Sequence, residues 1–163
     1  MPEQKTIERA RADAREGKAP STQAGEFVRE EIEHVREGKH GVRSTKQAIA
    51  IGLSMARRAG VPLPPPAKGK ASEKTRAQAK RNLGRAERKT SRTRSRATSA
   101  ALKREGREAA SRGSLSRQAR ASAEKRGRTN RSEAAQKAVG TKGKAGLRQA
   151  AQKAARTRTA GTA

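Results

Sequence analysis

The stretch EFVREEIEHVREGKHGVRSTKQAIAIGLSMAR, residues 26–57, decides the fold. Val28, Ile32 and Val35 recur at i, i+4 and i+7 with Phe27 beside them, the spacing of one helical stripe. Ser21 or Thr22 can cap this helix, which runs to about Glu37. Gly38-Lys39-His40-Gly41 reads as a turn, and Ser44-Thr45-Lys46-Gln47 has the pattern of a capping box in which Gln47 reaches back to the cap. Ile49, Leu53 and Ala56 form a second helical stripe, with Ile51 and Met55 on the neighbouring face. Arg57 and Arg58 suit the negative end of a helix dipole, and Gly60 supplies a left-handed stop. Residues 21–60 therefore predict an αα-hairpin with a marginal core of large apolar side chains.

Upstream, residues 1–20 predict a short N-terminal helix whose one large apolar residue is Ile7. Downstream, residues 61–72 hold the run Pro62-Leu63-Pro64-Pro65-Pro66, which favours extended polyproline II and reads as a semi-rigid linker. Residues 73–163 are an Ala/Arg/Lys/Ser-rich tail with degenerate repetition and few larger apolar residues, among them Leu102, Leu115, Val139 and Leu147. Ala, Arg, Lys and Gln favour helix, but like charges and missing apolar faces leave short helices marginal in water. The expected fold is mainly α: a short helix, a small helical hairpin, and a long basic tail that is largely disordered or marginally helical.

Charge divides the chain at the prolines. Residues 1–66 carry 12 Lys+Arg and 9 Asp+Glu, whereas residues 67–163 carry 29 Lys+Arg and 6 Glu, so nearly all of the net +26 lies in the second part. The chain has no Cys, which excludes disulfides and thiolate metal sites. No apolar run approaches the roughly 20 residues of a membrane span, and the first twenty residues have no signal-peptide core. The expected location is the cytoplasm.

A polycation of this density pairs with phosphates and releases their counterions. The candidate phosphate contacts begin with Arg76, Lys80 and Arg81 and continue through an Arg-dense knot at Arg85, Arg88, Lys89, Arg92, Arg94 and Arg96. They go on with Lys103, Arg104, Arg107, Arg112, Arg117 and Arg120, then Lys125, Arg126, Arg128 and Arg131. Without aromatic platforms, stacking on exposed bases is not expected. Lys125-Arg126-Gly127-Arg128 resembles the core of a minor-groove hook, with Thr129 where that motif has Pro. At the hairpin, Lys39, Arg43 and Lys46 offer a weaker set at a helix N-terminus. The acids of the first hairpin helix, Glu26, Glu30, Glu31, Glu33 and Glu37, are expected to face away from DNA. The partner expected first is DNA, with RNA as the alternative; no membrane is expected.

Catalysis has little support: there is no nucleophile elbow, no phosphate-binding glycine loop and no paired-carboxylate pocket. His34 has Glu30, Glu31 and Glu37 at helical neighbour spacing and His40 follows in the turn. A divalent ion can sit on such a set, but a surface histidine on an acid-rich helix is commoner, so no metal and no cofactor is assigned. A third class of function is a protein-interaction or self-association module using Phe27, Val28, Ile32, Ile49 and Leu53.

The run Glu26-Phe27-Val28-Arg29-Glu30-Glu31-Ile32-Glu33-His34, then Glu37-Gly38-Lys39, then Ser44-Thr45-Lys46-Gln47-Ala48-Ile49-Ala50-Ile51-Gly52-Leu53-Ser54, resembles a bacterial family of small basic proteins, the domain of unknown function 6496. The likeness covers about residues 25–60. It implies a bacterial source and a small helical module, and it carries no activity. By composition alone the tail resembles those of histone-like proteins. Together these readings give a nucleoid-associated protein that binds DNA without sequence preference; the alternative is an RNA- or ribosome-associated basic protein.

Overall fold

The computed structural model describes residues 2–84 and 91–160. Six α-helices span nearly all of them: α1 (Gln4–Arg15), α2 (Pro20–Arg36), α3 (Thr45–Arg58), α4 (Glu73–Leu83), α5 (Arg92–Lys103) and α6 (Arg112–Ala160), with a 3₁₀ turn at Glu108–Ala110. This overturns the expectation of a short hairpin followed by a largely disordered or marginally helical tail. Residues 1–118 form one compact unit and residues 119–163 a second.

Local sequence explains the boundaries. Helix α2 starts one residue before the expected caps, with Pro20 at its first position, where a missing N–H costs nothing. At its end Gly38 takes a φ of +79°, and the N–H groups of Gly38 and Lys39 donate to the carbonyls of Val35 and His34. That double bond satisfies the last-turn carbonyls and reverses the chain. At the start of α3 the Ser44 hydroxyl accepts from the Gln47 N–H. The Gln47 side chain reaches back one residue further than a capping box requires, accepting from the Arg43 N–H at 2.9 Å. Gly60, at φ +89°, ends α3 in the manner of Gly38 and delivers Val61 to the core.

The hairpin is packed through its smallest residues. Ala48, Gly52 and Ala56, one helical row on α3, are buried. A Cβ at Gly52 would lie 2.6 Å from the Val28 Cα, so the two helices meet nearly backbone to backbone. Two apolar clusters flank this seam. One joins Phe27, Ala10, Ala24, Ala56, Val61 and Leu63; the other joins Val35, Val42, Ala48 and Ala110. Helix α1 is held by Thr6 and Ala10, both buried, rather than by Ile7 alone.

Segments assigned to linker and tail complete these clusters. Val61 and Leu63 are buried, and the buried Arg57 donates from Nε to the Leu63 carbonyl (3.2 Å) and from an Nη to the Pro64 carbonyl (3.3 Å). The proline run is therefore pinned against α3. Burial pulls the Arg57 pKa down from the ordinary arginine range. Helix α4 lies on α3 and buries Ala79 and Asn82. Residues 102–110 dock on the hairpin turn: the N–H groups of Gly41 and Val42 donate to the carbonyls of Leu102 and Gly106, and the Thr45 hydroxyl donates to the Ala109 carbonyl at 2.6 Å. Arg36 Nε reaches the Ala110 carbonyl at 2.9 Å. The basic composition hid this docking because it relies on two alanines, one leucine and backbone groups.

Helix α6 has another basis. Non-helical backbone at Gly127 (φ 72°, ψ 170°) and Gly143 (φ 62°, ψ 175°) interrupts it. Its turns are rich in Ala, Arg, Lys and Gln, and helix preference rather than a packed apolar face accounts for them.

Gly41 and Gly25 make a matched test. A Cβ at Gly41 would fall on the Glu105 carbonyl, while one at Gly25 meets nothing within 4 Å. Gly41→Ala should cost about 1–3 kcal/mol, lower Tm by roughly 5–15 °C and speed proteolysis within residues 102–111. Gly25→Ala, in an exposed helical position, should gain about 0.5–1 kcal/mol. Thermal melts with limited proteolysis read both.

Candidate functional site

The described basic side chains fall into two groups. In the first unit several are engaged. Lys39 pairs with Glu37 (3.1 Å) and Glu3 (3.3 Å), which raises its pKa, with the Glu37 hydrogen bond the largest cause. Arg43 pairs with Glu105 at 3.0 Å, and Lys46 is exposed. Arg76 bridges Glu73 (3.0 Å) and the Pro66 carbonyl, which makes it part of the α4 joint. Lys80 and Arg81 are exposed on α4, and Arg81 also turns back to the Ala77 carbonyl. Arg85, Arg88 and Lys89 lie outside the described residues.

The second group is exposed. Arg92, Arg94, Arg96 and Lys103 project from α5, which buries no residue; Arg104 and Arg107 follow it, both exposed. Helix α6 carries 14 Lys+Arg and 2 Glu, and every Lys and Arg from Arg112 to Arg156 is exposed, Arg117, Arg120, Lys125, Arg126, Arg128 and Arg131 included. Arg117 also reaches Ser114, Arg126 the Ser122 carbonyl and Arg131 the Gly127 carbonyl, contacts within their own helix that leave them at the surface. Gly127, in the hook-like tetrapeptide, sits where α6 is interrupted.

The acids do not behave as one solvated face. Glu30 and Glu31 are buried, at 3% and 2% exposure, and among the described residues Glu30 Oε2 and Glu31 Oε1 have no hydrogen-bond partner. Desolvation raises the Glu31 pKa, Glu30 adds to the rise, and His40 and His34 oppose it. Around these carboxylates the fold gathers both histidines. His34 Nε2 lies 3.0 Å from Glu3 Oε1 and 3.9 Å from Glu30 Oε1, and His40 Nε2 lies 3.6 Å from Glu31 Oε2. The His34 and Lys39 hydrogen bonds hold the Glu3 pKa below the ordinary carboxylate range. Glu37, the third neighbour expected from helical spacing, stays exposed with Lys39; Glu3 takes its place from the far end of the unit. Only a fold that brings α1 against α2 reveals that substitution.

The apolar set read as a docking face is largely spent inside: Phe27 is fully buried, and Val28, Ile32, Ile49 and Leu53 are partly buried. Among the described residues no helix is long and apolar enough to cross a membrane.

Residues 3–68 match the family of unknown function DUF6496. That segment takes in α1, α2, α3 and the pinned proline run, a wider stretch than the 25–60 core in which the likeness is legible. No curated protein and no solved structure matches the chain.

Arg43 and Glu105 tie the turn to the docked segment at the surface, with Arg43 81% exposed. A double-mutant cycle with Arg43→Gln and Glu105→Gln should give a coupling of about 0.2–1 kcal/mol that shrinks with added salt.

Proposed function

We propose that the protein binds nucleic acid, DNA first, through phosphate contacts and without base readout, as a nucleoid-associated protein does. One observation carries the reading: the α6 sequence has 14 Lys+Arg against 2 Glu, and every Lys and Arg from Arg112 to Arg156 is at the surface. Like charges at helical neighbour spacing repel one another. A polyanion relieves that repulsion and gains the entropy of released counterions. Helical presentation supports the reading further, since cations on successive turns can follow a phosphate backbone. The lack of Trp and Tyr argues against stacking on bases, so affinity rather than sequence choice is the product. The cations at the hairpin turn contribute less, because Lys39 and Arg43 are already paired with acids.

Phosphate chemistry is shared by DNA and RNA, so the two are arms of one experiment. The full-length protein is titrated with unrelated DNA duplexes, and with an RNA duplex, across a salt series. With about ten contacts, log Kobs should fall against log salt with a slope of about −9 on DNA. Changing Arg120, Lys125, Arg126, Arg128 and Arg131 together to Gln should reduce the magnitude of that slope by roughly 4–5, while Arg43→Gln alters it by less than about 1. Salt-independent affinity, or an unchanged slope in the five-fold variant, would overturn the proposal. Tight binding to RNA alone would move the partner.

A further inference from the structure

The histidine–carboxylate cluster of the first unit has the donors of a metal site. From this arrangement we infer that Glu31, His34 and His40 bind a divalent transition-metal ion such as Zn²⁺, with Glu3 and Glu30 beside His34 as the remaining donors. One ligand atom from each of Glu31, His34 and His40 lies within 4.8 Å of the others, and the same holds for Glu3, Glu30 and His34. Two imidazoles with carboxylates suit zinc and its neighbours rather than calcium or magnesium, which prefer all-oxygen shells.

The orientation of His40 is the most specific sign. Its Nδ1 faces the Gly41 carbonyl at 3.1 Å, an oxygen that can only accept, so Nδ1 carries a proton. In the neutral ring Nε2 then bears a lone pair, and it points at Glu31 Oε2 from 3.6 Å. Two lone-pair atoms facing each other repel unless a metal ion or a proton lies between them. Their separation is close to the roughly 3.3–3.5 Å edge of a tetrahedron with bonds of about 2.0–2.1 Å. A backbone carbonyl holding the other ring nitrogen is also the usual outer-sphere partner of a metal-bound histidine.

Buried charge is the second, independent sign. Glu31 is 2% exposed with Oε1 unpartnered among the described residues, and Glu30 is 3% exposed with Oε2 unpartnered. Carboxylates in such surroundings call for a cation. Lys39 is instead paired with Glu3 and Glu37 at the surface. An ion here would join the entry to α1, the C-terminal turns of α2 and the turn on which residues 102–106 dock.

The chain has two His and no Cys, so imidazole-coordinated metal can be bound only here. The test uses the full-length protein, stripped with chelator and free of nucleic acid, titrated with Zn²⁺ alone by calorimetry and followed through its imidazole NMR resonances. One equivalent should bind, shift both histidine resonances and raise Tm, and Mg²⁺ should do none of these. Glu31→Gln and His40→Gln should each weaken Zn²⁺ binding at least ten-fold, with far-UV circular dichroism in chelator checking that the variants fold. Should a variant not fold, the wild-type resonances decide: imidazole signals unmoved by one equivalent of Zn²⁺ overturn the site. Unchanged affinity in His34→Gln/His40→Gln overturns it equally. The outcome is separate from the salt series on nucleic acid, so either proposal can fail alone.

Discussion

The close approach of α2 and α3 at Gly52 is the constraint on which the rest of the first unit depends. With the Val28 backbone where a Gly52 Cβ would sit, the seam is filled by Gly52, Ala48 and Ala56. A seam of such small residues gains tight contact but removes little apolar area from water, and apolar area is the main source of stability. The larger side chains are pushed to its flanks. Phe27 and Val35 stand eight residues apart on α2, about 12 Å along the axis, so each needs its own cover. Cover for Phe27 comes from Ala10 of α1, from Val61 and from Leu63 of the proline run, and for Val35 from Val42 and Ala110. A two-helix hairpin with this seam is incomplete by construction, and the segments before and after it are parts of its core.

The hydrogen bonds donated by the Gly41 and Val42 N–H groups and by the Thr45 and Arg36 side chains are more than decoration of a surface loop. Each satisfies a carbonyl of a segment that contributes few apolar atoms, so docking leans on hydrogen bonds to hold Leu102, Ala109 and Ala110 in place. Arg57 acts similarly on the prolines, whose carbonyls have no helix or sheet to bond to. That a guanidinium is buried for this purpose indicates how little apolar material is at hand.

Several of these features were legible in the sequence and others were not, for identifiable reasons. The glycine stops at Gly38 and Gly60 and the Ser44 cap act within one turn of chain, so local rules locate them. The apolar stripes named Phe27 and Val35 as core. Composition misled where burial relies on alanine: Ala10, Ala79 and Ala110 are unremarkable in a chain full of alanine, and nothing local marks which of them meets a partner. Excess positive charge also pointed toward disorder, whereas the strong helix preference of Ala, Arg, Lys and Gln is what the structure expresses. At the acid–histidine cluster, spacing along α2 offered Glu30, Glu31 and His34. Glu3 lies 27 residues before Glu30 and entered only through the packing of α1, while Glu37, equally well spaced, turned outward.

The two charge populations are therefore treated in opposite ways by one chain. In the first unit many acids are drawn inward or tied to neighbouring cations: Glu26 to Arg9 and Arg29, Asp13 and Glu16 to Lys18, Glu105 to Arg43. Those acids are thus neutralised at short range, where screening by salt is weakest for the buried members. From Arg112 onward only Glu124 and Glu133 are present to do the same for fourteen cations. Local neutralisation is arithmetically impossible there, and like charges on successive helical turns raise the free energy of the unliganded helix. The chain thus spends its carboxylates inside the first unit and leaves the cations of α6 to be balanced by ions from outside the helix.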